Sequence, residues 1–165
     1  MRLFIAINFD NQFINGVKQI YNQLNKSAIK GNYTILSNLH LTLAFLGETN
    51  KIDEIKKVID SVKFAPFKLT FEKLNSFKSA AKNIVYLETK SDNLKALAED
   101  LRNKLKIMSV NFDEKDFKAH ITLIRNTTGF LPQELSIKKL SAYVDKINLM
   151  YSHRVDGVLT YTKIY

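Results

Sequence analysis

Two short stretches of this chain carry the same pattern of side chains that could transfer protons. Leu39–Leu43 reads Leu-His-Leu-Thr-Leu, and Ala119–Leu123 reads Ala-His-Ile-Thr-Leu. Strict alternation of apolar and polar side chains is typical of a β-strand with two different faces. Because side chains two positions apart lie on the same face, each strand is expected to display an imidazole beside a hydroxyl, with its apolar residues in a core.

If the two strands face each other, His40 and His120 form an acid–base pair. Imidazole suits both roles because its pKa lies near neutral pH. Thr42 and Thr122 would then supply hydroxyl donors to the same site. The alternative is that these are two half-buried strands whose His and Thr side chains only satisfy each other, and the repetition of the whole pattern makes this the weaker interpretation.

The sequence resembles the 2H phosphoesterases, named for two His-x-Thr-x motifs, and within them the RNA 2′,3′-cyclic phosphodiesterases, historically called 2′-5′ RNA ligases. The stretches that carry the resemblance are Arg2–Ile7, Asn38–Gly47, Phe117–Arg125 and, more weakly, Leu149–Ser152 with Tyr161–Thr162. Two positions depart from the family pattern. Ser37 stands where Glu is frequent, and Ala119 stands where Pro is frequent.

The resemblance implies an α+β fold in which two antiparallel sheets face a central cleft, with helices outside. It implies hydrolysis of a terminal RNA 2′,3′-cyclic phosphate to a 2′-phosphate, with His40 as proton donor and His120 as the proton acceptor that activates water. Spacing alone does not distinguish the two roles. Thr42 and Thr122 would stabilise the negative charge that develops on the phosphate oxygens.

The resemblance also points to Arg125 as a phosphate contact. Strict alternation puts Arg125 on the opposite face from His120, so the contact requires the strand to bend or end near Ile124. Phe45 and Phe9 could stack on a base, although most strand phenylalanines are core residues. His153 is expected to be a solvated residue of a polar turn.

Composition limits the possible classes of protein. A chain of 165 residues with 45% hydrophobic residues can bury a real core, and we expect a single domain over 1–165 made of two pseudo-symmetric lobes, one motif in each. The absence of cysteine excludes disulfides and Cys-ligated metals. We expect no metal site, no cofactor, no membrane association, a monomeric state and a cytoplasmic location.

The net charge of +9 suits a polyanionic partner, either RNA ends or nucleoside 2′,3′-cyclic phosphates, although lysine-rich surfaces also serve solubility. The stretch Lys63–Lys82 could be a basic RNA-binding surface with interleaved aromatics or a half-buried strand with a solvated face. Two further functions remain open. One is 2′-5′ RNA ligation or hydrolysis of another cyclic nucleotide, and the other is RNA binding without catalysis.

The periodicity along the chain predicts elements in the order β-α-β-α-β-β-α-β-β-β. Helix starts are expected at Asp10, at Thr49 or Asn50, and at Ser91 or Asp92, whose side chains can cap a helix. The predicted strands are Arg2–Phe9, Leu39–Leu46, Phe67–Phe71, Ile84–Thr89, Lys118–Ile124, Tyr143–Tyr151 and Val158–Tyr165. The predicted loops include Asn25–Asn32, Asn126–Pro132 and a turn at Asp156-Gly157.

Overall fold

The structure, a computed structural model, describes residues 1–77, 83–128 and 135–165. The strands are β1 Arg2–Asn8, β2 Lys30–Tyr33, β3 His40–Glu48, β4 Phe67–Phe71, β5 Lys73–Phe77, β6 Asn83–Glu88, β7 His120–Thr128, β8 Leu140–Val144, β9 Asn148–Val155 and β10 Val158–Lys163. The helices are α1 Asn11–Asn25, α2 Ile52–Ser61 and α3 Asp92–Ile107, and Leu36–Asn38 form a single 3₁₀ turn.

Two antiparallel four-stranded sheets carry the two motifs, and the predicted α+β class is confirmed. One sheet has the order β10-β9-β1-β3, the other has the order β2-β7-β6-β5, and β4 pairs with β8 in a separate two-stranded ribbon. The motif strands β3 and β7 belong to different four-stranded sheets, yet they contact each other. The junction of the two sheets therefore brings the two His-x-Thr patterns together.

The two motif strands occupy equivalent positions in the chain. β3 pairs antiparallel with β1, the strand that precedes α1, and β7 pairs antiparallel with β6, the strand that precedes α3. Leucines and isoleucines of both sheets and of the helices share one continuous core. We infer that the chain is one domain with two lobes of similar plan.

Both motif strands also contain a β-bulge directly after their threonine. In β3 the partners of Ala44 and Thr42 are adjacent residues of β1, so Leu43 is an extra residue. In β7 the partners of Ile124 and Thr122 are adjacent residues of β6. Leu43 and Ala44 are both buried, as are the corresponding two residues of β7. Each bulge therefore shifts the alternation by one position and reverses which later residues face the cleft.

Two of the predicted helix caps are confirmed. Asp10 Oδ1 accepts a hydrogen bond from the Phe13 N–H at 2.8 Å, and Ser91 Oγ accepts one from the Leu94 N–H at 3.2 Å. The predicted cap of α2 is wrong, since α2 begins after Lys51 without a side-chain cap. The predicted turn at Asp156-Gly157 joins β9 to β10.

The predicted loops are partly wrong. The predicted connection Asn25–Asn32 overlaps the strand Lys30–Tyr33, which pairs with β7. Gly31 lets the two backbones approach, since a Cβ there would lie 2.9 Å from the Arg125 carbonyl oxygen. β7 continues to Thr128, into the predicted loop, and residues 129–132 of that loop lie outside the described residues. Residues 78–82 of the lysine-rich stretch do so as well.

Candidate active site

One cavity of about 350 Å³ at the junction of the two sheets is lined by all four motif side chains. The remaining residues of its wall come from β2 and the segment after it, from Arg125 and Asn126 in the second half of β7, and from β10. A cavity of this volume is within the range of small-ligand sites. The structure therefore brings His40, Thr42, His120 and Thr122 together, although 80 residues of sequence separate the two motifs.

Each histidine is held by the same local contact. Nδ1 of His40 lies 2.7 Å from the Asn38 carbonyl oxygen, and Nδ1 of His120 lies 2.6 Å from the Lys118 carbonyl oxygen. A carbonyl oxygen can only accept, so Nδ1 carries the proton and donates in both rings. Nε2 of each ring is left for the cleft, where it can accept a proton when neutral or donate one when charged.

Aromatic rings flank both imidazoles. The His40 ring lies 4.8 Å from Phe4 and 5.1 Å from Tyr161, measured between centroids. The His120 ring lies 5.3 Å from Phe77 and 5.5 Å from Tyr86. These contacts restrict the rotation of each ring, and together with the carbonyl hydrogen bond they fix the direction of Nε2.

The pKa of both histidines is depressed in the free protein. The pKa of His40 is lowered from 6.5 to about 4, mainly by burial, with smaller contributions from the positive charges of Arg125 and His120 and against the opposing hydrogen bond to Asn38. Burial also lowers the pKa of His120, with contributions from Arg125 and Lys118. Because negative charge favours an imidazolium, an anion bound between the two rings would raise both pKa values.

Arg125 lines the cleft together with both motif histidines. Strict alternation would have put it on the opposite face of β7, and that expectation fails because of the bulge after Thr122. Leu123 and Ile124 are both buried, so the next side chain points back into the cleft. The sequence analysis required the strand to bend or end near Ile124 if Arg125 was to face the site. The bulge between Thr122 and Ile124 provides this irregularity.

The other predicted site residues lie in different places. Phe45 occupies the position in β3 that corresponds to Arg125 in β7, and it lines the neighbouring part of the cleft. Phe9 lies away from the cleft, where its ring stacks on Phe13 at 4.3 Å and packs against the core. The reason is that Phe9 follows the end of β1 and faces α1, so it has no part in this site.

His153 is in β9 and not in a turn, which corrects the expectation of a solvated loop. Its ring stacks on Tyr151 with centroids 4.5 Å apart, and its Nε2 lies 2.8 Å from the Thr162 hydroxyl. Alternation along β9 puts the His153 side chain on the face opposite to Ser152 and Arg154. The imidazole of His153 is therefore held by Tyr151 and Thr162, and the residue lines the neighbouring part of the cleft but not the cavity that holds both motif histidines.

Asn38 and Tyr161 belong to the site, although sequence reasoning gave them no role. The Asn38 side chain is buried, donates to the Leu159 carbonyl at 2.8 Å and accepts from the Tyr161 N–H at 3.2 Å. It thereby ties the segment before the first motif to β10. Both residues lie in stretches that carry the family resemblance, Asn38–Gly47 and Tyr161–Thr162, and this was the signal in the sequence that could have identified them. Only the fold shows that the two residues contact each other.

The part of the chain that the structure describes contains no group of three His, Cys, Asp or Glu side chains arranged to hold a metal ion. Within the same residues, no helix is both long enough and apolar enough to cross a membrane.

Solved structures share this fold along almost the whole chain. Escherichia coli LigT complexed with 3′-AMP superposes with a TM-score of 0.85 at 24% identity, over 99% of this chain and 95% of that chain. The protein TT0787 of Thermus thermophilus superposes with a TM-score of 0.79 at 20% identity, over 100% of this chain and 96% of that one. The fold, with one His-x-Thr strand in each sheet, is that of a 2H phosphoesterase.

Sequence comparison identifies the family within that class. Residues 17–156 match the family model of the 2′-5′ RNA ligase superfamily. The RNA 2′,3′-cyclic phosphodiesterase of Archaeoglobus fulgidus is 37% identical over 130 residues, covering 76% of this chain and 72% of the relative. The enzyme of the same name from Thermotoga maritima is 34% identical over 131 residues, covering 76% and 70%. The chain belongs to the 2′-5′ RNA ligase superfamily.

Proposed function

We propose that this protein opens the 2′,3′-cyclic phosphate at the end of an RNA chain, leaving a 2′-phosphate, by general acid–base catalysis that needs no metal ion. Its enzyme class, a cyclic phosphodiesterase, follows from the family. The observation that carries the mechanism is the shared wall of one cavity, where two imidazoles held through Nδ1 stand beside two threonine hydroxyls and one arginine.

The proposed reaction is a displacement at phosphorus. Nε2 of His120 removes a proton from water while the water oxygen forms a bond to phosphorus. The bond from phosphorus to the ribose 3′ oxygen breaks, and Nε2 of His40 donates a proton to that oxygen. One proton is gained and one is lost, so exchange with solvent restores both rings for the next turnover.

The remaining polar groups act on the phosphate. The Thr42 and Thr122 hydroxyls can donate to its non-bridging oxygens, where negative charge increases in the transition state. The guanidinium of Arg125 supplies a positive charge that a phosphate would neutralise. Because the free protein keeps His40 neutral at pH 7, binding of the anion is needed before His40 can hold the proton that it donates.

The comparisons support this substrate class. The curated relatives are named RNA 2′,3′-cyclic phosphodiesterases, and LigT was crystallised with 3′-AMP, a nucleotide with its phosphate on the ribose. The net charge of +9 suits an RNA partner. The monomeric state and the cytoplasmic location remain predictions. The two histidine roles also remain predictions, and they rest on the family resemblance.

The test is hydrolysis of a nucleoside 2′,3′-cyclic phosphate in EDTA, with the 2′- and 3′-phosphate products separated by chromatography. We expect full activity in the chelator and a 2′-phosphate product. The His120→Ala variant, purified in the same way, is the matched control, because a contaminating phosphodiesterase would remain active in it. Loss of activity in EDTA that one divalent ion restores, or a 3′-phosphate product, would contradict the proposal, and formation of 2′-5′ joined RNA would favour the ligase alternative.

A further inference from the structure

The catalytic cavity continues into a second one of about 520 Å³, and we call this second cavity the arginine arm. The two cavities share His40, Thr42, Arg125, Leu159 and Tyr161. His120 and Thr122 line only the first cavity. The arginine arm extends instead over the β1, β3 and β9 side of the cleft, with Arg2, Phe4, Phe45, Ser152, His153 and Arg154 in its wall.

Three arginines line this arm: Arg2, Arg125 and Arg154. Its described wall contains no carboxylate, and none of the three guanidinium groups forms an ion pair within the described residues. Glu48, which pairs with Arg2 in register across β1 and β3, is bound instead to the N-terminal amine at 3.3 Å. The arm is thus a cavity with excess positive charge.

Neighbouring groups hold two of these arginines over the arm. The guanidinium of Arg2 lies 5.1 Å from the centre of the Phe45 ring, a cation–π contact that leaves the N–H groups at its edge available. The guanidinium of Arg154 donates to the Gly157 carbonyl across the β9–β10 hairpin. Both side chains are restricted by contacts that leave their charge uncompensated.

The charge exceeds what the reaction needs. A 2′,3′-cyclic phosphate carries one negative charge, and Arg125 already lies beside both histidines at the junction of the two cavities. The positive charges of Arg2 and Arg154 are therefore not needed to balance the charge of the cyclic phosphate. Excess unpaired arginine in a cleft favours a second anionic group, because arginine pairs with phosphate through two parallel hydrogen bonds.

The chemistry of the substrate indicates which phosphate this is. A product with its phosphate on the 2′ oxygen requires that the bond to the 3′ oxygen breaks, so the 3′ oxygen must lie at the proton donor, His40. The ribose continues from C3′ through C4′ to C5′ and its phosphate, whereas the base is attached on the C2′ side. We therefore expect the 5′ side of the nucleotide to extend into the cavity that His40 lines without His120.

We propose that the arginine arm binds the 5′ phosphate of the terminal nucleotide, through Arg2 and Arg154, so that the enzyme selects RNA ends over free nucleoside cyclic phosphates. This inference rests on the proposed function and on its 2′-phosphate product. It makes Arg2 and Arg154 specificity residues for the chain upstream of the reacting nucleotide, and it makes Phe45 a positioning residue for Arg2.

The test compares two substrates that differ only by this phosphate: a nucleoside 2′,3′-cyclic phosphate with a free 5′ hydroxyl, and the same compound with a 5′ phosphate. For the unaltered protein we expect kcat/KM to be about tenfold higher for the 5′-phosphorylated substrate, mostly because its KM is lower. A tenfold change is about what one charge-assisted contact contributes. In Arg2→Gln/Arg154→Gln this ratio should fall to about one. Lys18→Gln/Lys95→Gln, which removes the same charge from exposed helix positions, should keep it.

Each outcome has one meaning. Equal kcat/KM for the two substrates in the unaltered protein would overturn the inference, as would a preference that survives in Arg2→Gln/Arg154→Gln. A ratio that falls equally in the lysine control would also overturn it, because the preference would then come from net charge alone. Failure of the unaltered protein to hydrolyse either substrate would contradict the proposed function instead.

Discussion

The two motif strands use the same local construction in different surroundings. In both, the histidine donates from Nδ1 to the carbonyl two residues earlier, aromatic rings flank the imidazole, and a bulge follows the threonine. The accepting carbonyls differ in environment, since Asn38 is buried and fixed to β10 whereas Lys118 is exposed. The residue after the bulge is Phe45 in β3 and Arg125 in β7.

These differences in surroundings affect the pKa values of two imidazoles that are otherwise held in the same way. Burial is the main reason that the pKa of His40 falls to about 4, and it lowers the pKa of His120 in the same direction from 6.5. The local pattern thus decides the orientation of each ring, and the surroundings decide its proton affinity. In the proposed reaction, a substrate phosphate at Arg125 would add the negative charge that favours protonation of His40.

The largest effect is expected when either lobe loses its histidine. His40→Ala or His120→Ala should lower kcat by about 10²–10⁴-fold, because each removes a proton-transfer partner. The double variant should cost much less than the product of the two, since groups that act as a unit are not additive. Steady-state kinetics on a cyclic nucleotide measures this. If His40→Ala and His120→Ala both stayed folded and kept near-full turnover, the two-histidine mechanism would be contradicted. RNA binding without catalysis would then be the favoured function.

A smaller loss is expected for the two threonines. Thr42→Val and Thr122→Val keep the branched shape and remove one hydrogen-bond donor to the phosphate. We expect kcat/KM to fall by about 10–10³-fold in each, by analogy with loss of one oxyanion donor. Similar losses in the two variants would indicate that the lobes contribute equally. Full activity in one of them, with circular dichroism spectra unchanged in both, would show that the lobes are not equivalent at this step.

The residues after the bulges should differ in their effect on pH dependence. Both histidine pKa values are depressed, so the kcat/KM optimum should lie below pH 6.5. Arg125→Gln removes a positive charge that lowers both pKa values, so it should move the optimum to higher pH and reduce kcat/KM by about tenfold through the lost phosphate contact. Phe45→Leu, the matched change in the other lobe, should leave the optimum where it is. An unshifted optimum in Arg125→Gln would contradict the electrostatic account.

The smallest effect concerns stability. Asn38→Ala leaves the Leu159 carbonyl and the Tyr161 N–H without their partner, and should cost about 1–3 kcal/mol in the free energy of unfolding. Lys118→Ala, at the equivalent position of the second motif, should change it by less than about 0.5 kcal/mol, because its side chain is exposed. Urea denaturation measures both. Equal effects would mean that the Asn38 contacts do not stabilise the hairpin.

Sequence patterns predicted the motif strands because their alternation is local. They failed where pairing between distant segments decides the outcome. Lys30–Tyr33 has only four residues and little apolar character, so its strand exists because β7 offers it an edge. Tyr143–Tyr151, predicted as one strand, is divided between β8 and β9, which pair with different partners. His153 was assigned to a turn because its neighbours are polar, yet the hairpin with β10 extends β9 through it.

The sequence by itself determined the two chemical units of this protein, since an imidazole and a hydroxyl two residues apart share a strand face wherever the strand lies. It also determined the family, through residues spread along nearly the whole chain. Only the tertiary structure decided that Arg125 faces the cleft and that Phe9 does not. The bulge that turns Arg125 inward depends on the register between β6 and β7. This register is set by the packing of two sheets around one core, so the residues near Arg125 in the sequence do not predict it.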